Sequence, residues 1–528
     1  MNASTFNIYN ASAGSGKTFT LVKDYLKIVL TSKEFLPHRH ILAITFTNKA
    51  VDEMKTRVIE ALMTFAAPSI LTKSDALFEQ VVKELDRSPK EIQHKSNQLL
   101  SKILHNYAAF DISTIDKFTQ KLIRTFAFDL KLPMNFEVEL DTDFLLKKAV
   151  SRLMSKAGKN KELTKVLVEF AIEKADEDKS WNIALDLAKT AKLLTRESDA
   201  PYLEELSQCT LQDFGTLKST LIKEIRETEL QIVALSTQIL ELISASGIEF
   251  SDFIRGSLPK HFKALRSKKF DLSFTAQWQQ SIETTALYTK KAYPSVTAAI
   301  DRLRPQLVAV FQKTKESVYR IRYLNNIRKN TTPLSVLNLI HQELKTIKDE
   351  ENLLMISEFN TIISQQIKDQ PAPYIYERIG EKFNHFFIDE FQDTSELQWE
   401  NLTPLIINTL AQENGSSMLV GDAKQAIYRW RGGKSEQFIN LYNNATTFPF
   451  EATLSKLPTN YRSCSQVVDF NNKFFKHLST VVFSNDTYKA LYQSASQLEF
   501  KNKKGYVNIS FLEFEKGADK SLFLQKKF

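Results

Sequence analysis

Cysteine is nearly absent: Cys209 and Cys464 are the two in 528 residues. Two distant thiols support no disulfide framework, and neither stands at zinc spacing from another cysteine or a histidine. A reducing, intracellular setting, the cytoplasm, is the expectation. No apolar run approaches the ~20 residues that cross a bilayer, so no membrane partner is expected. The opening MNASTFNIYN has neither a basic n-region nor an apolar h-region, unlike a signal peptide. Repeats and low-complexity tracts are missing too. Glycine is scarce, with 13 in all. Between Gly16 and Gly380 there are only Gly158, Gly215, Gly247 and Gly256. Glycine weakens helix interiors, so this interval is expected to be helical.

The remaining composition, 43% hydrophobic and 25% charged, excludes a disordered or fibrous chain. The length allows several domains. The formal net charge is +8, a weak hint of an anionic partner until its location is known. Periodicity predicts helices within 19–30, 74–104, 142–176 and 228–246, the last with Leu230, Val233, Ile239 and Leu242 on its apolar face. Short apolar runs at Phe6–Tyr9, Ile41–Phe46, His385–Ile388 and Met418–Val420 read as strands. Each leads into small, polar or acidic residues, as in a parallel sheet that carries ligands at its strands' C-terminal ends. The helical middle then interrupts an α/β domain. A second α/β unit starts near residue 451 and includes a strand at Tyr506–Leu512.

Residues Ala11, Ser12, Ala13, Gly14, Ser15, Gly16, Lys17 and Thr18 follow a strand and open a helical segment. Gly14 and Gly16 let backbone N–H groups approach phosphates, and the helix N-terminus favours negative charge. Lys17 is placed for β- and γ-phosphates and Thr18 for Mg²⁺. Ala11 stands where the common phosphate-loop pattern has its first glycine. The bland alternative is a chance glycine turn before a helix.

At the end of the run Phe386–Ile388 stand Asp389 and Glu390. Paired carboxylates can divide the work, Asp389 holding Mg²⁺ and Glu390 activating the attacking water. An acidic turn is the rival reading. Further on, Gln425 can hydrogen-bond a phosphate. Tyr428, Trp430 and Arg431 set flat faces beside positive charge, a combination that stacks single-stranded bases; an amphipathic helix start with a core aromatic is the competitor. Asn460-Tyr461-Arg462-Ser463 offers an arginine able to reach across a cleft to a γ-phosphate.

In this order the motifs resemble superfamily 1 DNA helicases of the UvrD/RecB type. The resemblance runs over Asn7–Leu30, Ile41–Val58, Asp111–Ile123, His385–Gly433 and Leu457–Val468. Asp-Glu-Phe-Gln-Asp-Thr followed by Gly-Asp-Ala-Lys-Gln-Ala-Ile-Tyr-Arg-Trp-Arg-Gly is its most specific part. The resemblance implies a RecA-like fold, ATP and Mg²⁺ as cofactors, and 3′-to-5′ translocation on DNA in recombination and repair. It implies that Lys17 and Thr18 bind phosphate and Mg²⁺, that Asp389 binds Mg²⁺, and that Glu390 is the base. Gln425 and Arg462 would contact the γ-phosphate and Tyr461 would stack on adenine. Phe46, Asn48, Thr114, Tyr428, Trp430 and Arg431 would meet single-stranded DNA. Many relatives have His where Asp116 stands. No adenine-reading glutamine is evident upstream of Ala11.

Lys17 and Asp389 are 372 positions apart, far more than in compact Rep/UvrD-type enzymes. The interval resembles the RecB/AddA branch, whose members are usually helicase–nucleases with a partner subunit. The expected division is a first RecA-like motor domain in 1–140 and 376–450, an all-helical insertion in 141–375, and the beginning of a second motor domain in 451–528. The last two helicase motifs and a nuclease pattern are not found after Arg462, so weak hydrolysis and unwinding are expected. Two alternatives stand beside a helicase: an ATP- and single-stranded-DNA-binding module with little hydrolysis, and a phosphate-loop ATPase or kinase unrelated to DNA. The second has no use for Thr45–Ala50 or for Tyr428–Gly432.

The charge is concentrated. Residues 255–329 hold 16 Lys or Arg against four acids, a local +12 that leaves −4 elsewhere. Tyr319, Arg320, Arg322 and Tyr323 interleave aromatics with charge there, as a phosphate-tracking surface does. A solvated helical face is the equal alternative.

Overall fold

The computed structural model describes residues 5–133, 135–176, 182–289, 292–368, 379, 382–445, 448–501 and 504–511. The expected boundary at 375–376, Gly380 and the end of the expected strand at Leu512 lie outside them. The chain forms two compact units, residues 1–139 with 354–528, and residues 140–353.

The first unit is built on a parallel sheet. Its strands are β1 (Phe6–Ala11), β2 (Ile41–Thr45), β3 (Ile112–Thr114), β6 (His385–Ile388), β7 (Ser416–Gly421) and β8 (Thr453–Leu457), in the order β3-β2-β6-β7-β1-β8. The intervening β4 (Glu137–Glu139) and β5 (Leu353–Met355) make a separate pair, as do β9 (Thr459–Cys464) and β10 (Leu498–Lys501). Pairing is parallel throughout the large sheet. The apolar runs are continuous because both faces are covered. Leu42, Ile44, Phe386, Ile388 and Leu419 enter one core. Their neighbours Ile41, Ala43, Phe387, Met418 and Val420 enter the other, against Leu21, Val22, Tyr25 and Leu26 of the helix Lys17–Thr31. This alternation fixes the register, since a slip of one residue would exchange the two faces.

Three expectations are corrected. Thr453–Leu457, placed at the opening of the second α/β unit, pairs with β1 and forms the edge of the first sheet; it satisfies backbone groups that β1 would otherwise expose. The helical insertion ends near 353, not 375, because Phe359 and Ile363 on the helix Ile356–Lys368 are buried in the first unit's core. Tyr506–Phe511 has the alternation of a strand but pairs with no strand among the described residues, and Tyr506, Ile509 and Phe511 are exposed.

The second unit is helical. The helices Leu211–Ala245 and Pro294–Ser335, of 35 and 42 residues, share a core. A capping box between Thr210 and Asp213 starts the first of these helices. Its buried face runs through Leu221, Ile225, Ile232, Ile239, Leu240 and Ile243. Of the four residues expected there only Ile239 is fully buried, and Leu230 is 54% exposed. The buried imidazole of His261 sits among Phe262, Phe274, Trp278 and Phe311, with centroids 5.4–5.7 Å away. Its Nε2 has no hydrogen-bond partner, and burial pushes its pKa down to about 4.

Part of the basic stretch is used internally. Arg320 pairs with Glu224 at 2.6 Å, and Arg322 donates to the Phe270 and Leu272 carbonyls at 3.0 and 2.6 Å. Arg304 donates to the Thr285 carbonyl and to Asp301. Tyr319 packs on Phe274. Of the interleaved set, Tyr323 stays largely exposed. Lys263, Arg266, Lys268 and Lys269 are exposed cations. No helix among the described residues is long and apolar enough to cross a membrane.

Candidate active site

Because the strands are parallel, the segments after β1, β2, β3, β6 and β7 leave one edge of the sheet. That shared edge gathers motifs hundreds of residues apart.

The phosphate loop turns between Ala11 and Lys17 with Gly14 at φ 77° and Gly16 at φ 87°. These are left-handed values that a side chain would strain. Ser15 N–H donates to the Ser12 carbonyl at 3.1 Å. No side chain caps the helix Lys17–Thr31, so its first-turn N–H groups are left to a ligand. The departure at Ala11 has a local explanation. This residue is fully buried and pairs in register with Leu457 as the last residue of β1, so the turn begins after it.

Asp389 extends β6, its N–H donating to the Ile44 carbonyl at 2.8 Å. Glu390 then adopts φ 54°, ψ 40°, a conformation that costs a non-glycine residue of order 1 kcal/mol. The strained turn aims the carboxylate back at the loop. Lys17 Nζ lies 2.7 Å from Glu390 Oε1. The buried Gln392 donates through Nε2 to Glu390 Oε2 at 2.6 Å, and its Oε1 accepts the Asp422 N–H at 2.9 Å. Burial, then the adjacent Glu390 carboxylate, raise the Asp389 carboxyl well above the usual carboxylate range, while Lys17 opposes them. Burial also pushes Asp393 up, and its Oδ1 accepts the Ile427 N–H at 3.3 Å.

After β7, the buried Asp422 carboxylate holds Gln425 Nε2 at 2.7 Å and the Lys424 ammonium. Gln425 lines a cleft of about 320 Å³ with Ser12, Ala13, Asn472, Tyr492 and Gln497. The segment 460–462 backs onto the loop. Tyr461 N–H donates to the Gly14 carbonyl at 2.8 Å, and Asn460 Nδ2 and Gln497 Nε2 reach the Ala13 carbonyl at 3.4 and 3.1 Å. A Cβ on Gly14 would stand 2.9 Å from Arg462 Cβ and from Asn460 Oδ1. The Tyr461 ring lies beside Gly16 and, 4.7 Å away, beside Phe500.

Beyond β2, the Phe46 ring packs against Tyr428, centroids 4.3 Å apart and planes tilted by 34°, and Tyr428 lies 6.3 Å from Trp430. The Arg431 guanidinium is 5.4 Å from the Phe46 ring centre, 5.9 Å from that of Trp430, and 3.6 Å from Asp116. Trp430 is 72% exposed, unlike a core aromatic. Asn48 is exposed on the first turn of the helix Asn48–Ala66. Thr114 is not at this surface: it is 7% exposed, and its hydroxyl caps the helix Ile115–Thr125 by accepting the Lys117 N–H. Asp116 is pushed up by burial and drawn down by Arg431. Gln392, Asp422 and the Asp116–Arg431 contact were not anticipated from the sequence. The two residues lie inside the motifs, and their polarity there was the available signal.

A mixed α/β domain, with a phosphate loop at one parallel strand's end and an acidic pair at another's, is a RecA-like domain. The chain belongs to the UvrD/REP helicase family, whose N-terminal domain matches residues 3–446. It is similar to the A subunit of the ATP-dependent helicase/nuclease from Thermoanaerobacter pseudethanolicus, 25% identical over 501 residues, covering 89% of this chain and 38% of that protein. The protein of that name from Lactobacillus gasseri is 26% identical over 536 residues, covering 93% and 40%. The one from Clostridium novyi is 24% identical over 564 residues, covering 97% and 42%. The chain spans about two fifths of the length of these curated relatives.

Proposed function

We propose that this chain carries the ATP- and single-stranded-DNA-binding part of a 3′-to-5′ DNA helicase or translocase acting in DNA repair and recombination. One observation carries the reading. The phosphate loop with its Lys17–Glu390 contact, and the Phe46–Tyr428–Trp430–Arg431 cluster, leave the same edge of one sheet, and the segment 422–431 runs from one to the other.

In this reading the loop N–H groups and Lys17 bind the β- and γ-phosphates, and the buried, unpaired Ser15 hydroxyl gains a partner there. Among the described residues no group of three or more His, Cys, Asp or Glu could hold a metal ion. Mg²⁺ takes few protein ligands and keeps phosphate oxygens and water. Asp389, crowded by Glu390, and Thr18 are the residues that would hold it, and its contribution is charge neutralisation on the phosphates. Glu390 orients the attacking water and takes its proton. Gln425 and Arg462 contact the γ-phosphate, and Tyr461 stacks on adenine. Phe46, Tyr428, Trp430 and Arg431 stack on and pair with the single strand, with Asn48 beside them. Residues 1–139 and 354–457 form the first motor domain in this scheme, and the residues after 457 begin the second. A cytoplasmic location and a helicase–nuclease partner chain complete the proposal.

The test is ATP hydrolysis with and without oligodeoxythymidylate. Stimulation that disappears in Lys17→Ala supports the reading. Hydrolysis indifferent to the DNA, or undiminished in that variant, contradicts it.

A further inference from the structure

We propose that Gln392 is the positioning residue that holds Glu390 in place once phosphate has taken Lys17, and that it ties Glu390 to the Gln425 loop. The proposal rests on the reading of Glu390 as the base.

The geometry is a single line of contacts. Glu390 has one carboxylate oxygen on Lys17 Nζ at 2.7 Å and the other on Gln392 Nε2 at 2.6 Å. Gln392 Oε1 accepts from Asp422 N–H at 2.9 Å, and the Asp422 carboxylate holds Gln425 Nε2 at 2.7 Å. Gln392 is 1% exposed, and its Nε2 also stands 3.4 Å from Asp393 Oδ2. The Gln392 amide therefore uses both its ends. A buried amide with both ends bonded is held in one orientation, because turning it over would set donor against donor and acceptor against acceptor. Packing agrees: a Cβ on Gly421 would come within 2.9 Å of Gln392 Oε1.

The consequence follows from competition for Lys17. A phosphate that recruits the ammonium removes one of the two contacts on Glu390. Gln392 then supplies the contact that keeps a carboxylate on a left-handed, strained backbone aimed at the site. Its other end reaches the first residue of the loop that carries Gln425. A movement of that loop toward or away from a phosphate is passed to Glu390 through one side chain. This is a role in orienting Glu390, distinct from contact with nucleotide.

Two variants separate the ends of the amide. Gln392→Met removes the amide's hydrogen bonds to Glu390, Asp393 and Asp422 at similar volume. Gln392→Glu keeps an acceptor for Asp422 N–H but sets a carboxylate against Glu390. Single-turnover ATP hydrolysis is measured for both, alone and combined with Glu390→Gln, beside the affinity for a fluorescent ATP analogue and the melting temperature. The expected result is a fall in the rate of at least about tenfold for each variant, nucleotide affinity within about twofold of the parent, and no further fall when Glu390 is already Gln. If Gln392→Met does not fold, Gln392→Glu carries the comparison. Parental rates in both variants, or losses that multiply in the Glu390→Gln background, overturn the proposal. If Glu390→Gln itself hydrolyses like the parent, the assignment of the base fails and this proposal falls with it.

Discussion

Lys17 Nζ and Glu390 Oε1 are 2.7 Å apart, with side-chain exposures of 14% and 30%. A phosphate that recruits Lys17 must break this ion pair, so part of the binding energy goes into freeing the carboxylate. Glu390→Gln removes the ion pair, while its single amide oxygen can still accept from Gln392 Nε2. Nucleotide affinity in this variant is expected to be equal to or tighter than the parent's, while hydrolysis falls by about 10²- to 10⁴-fold. Equilibrium binding and single-turnover hydrolysis, measured on one preparation, check both halves.

Trp430 stands on the outer side of the aromatic cluster at 72% exposure. Its loss removes little packing, so Trp430→Ala is expected to melt with the parent. Single-stranded DNA affinity should fall by about tenfold or more, the range of one base–aromatic stack. Nucleotide affinity should hold. Fluorescence anisotropy with a labelled oligonucleotide reads the effect, and unchanged DNA binding would count against stacking.

Lys263, Arg266 and Lys269 are exposed cations of the helical unit. If they meet phosphates, changing all three to Gln lowers the slope of log affinity against log salt by about 2, at roughly 0.7 per contact on a single strand. An unchanged slope assigns these residues to a solvated face. Arg320 and Arg322 are poor choices for this test, because their guanidinium groups already hold Glu224 and the Phe270 and Leu272 carbonyls.

His261 gives the helical unit a pH dependence. Burial holds its pKa at about 4 against an ordinary 6.5. The folded state therefore binds fewer protons than the unfolded chain between these values. Stability is intact above pH 6.5 and drains away as pH falls toward 4, by about 2 kcal/mol at pH 5. His261→Phe, set in the same aromatic surroundings, should flatten this fall. Urea midpoints at pH 7.5 and 5 for both proteins decide it, and equal losses would contradict the assignment.

The sequence showed the sheet well wherever strands were buried on both faces. Phe6–Tyr9, Ile41–Phe46, His385–Ile388 and Met418–Val420 each fall within two residues of a strand, because continuous apolar runs have little other use. Thr453–Leu457 was harder: an edge strand with Leu454 37% exposed carries no such run. A helix was expected over 228–246, the C-terminal half of Leu211–Ala245, but its start and its buried face were not. Its buried stripe includes Thr228 and Ser236, which an apolar count passes over, whereas Leu230 is exposed. At the site, the residues that touch a ligand in the resemblance were legible as motifs. Gln392 was not, because it links Glu390 to Asp422, and its contact with Asp422 forms only when β6 and β7 lie side by side. Thr114 illustrates the converse, a residue whose hydroxyl is spent locally on a helix cap.

The central claim is that one sheet edge couples a nucleotide to a single strand through residues 422–431. Coupling of this kind is reciprocal. The most direct measurement is the affinity for a labelled oligodeoxythymidylate without nucleotide and with a saturating, non-hydrolysable ATP analogue and Mg²⁺. A shift of about fivefold or more, abolished by Gln425→Ala, is predicted. Identical affinities in both conditions would contradict the account.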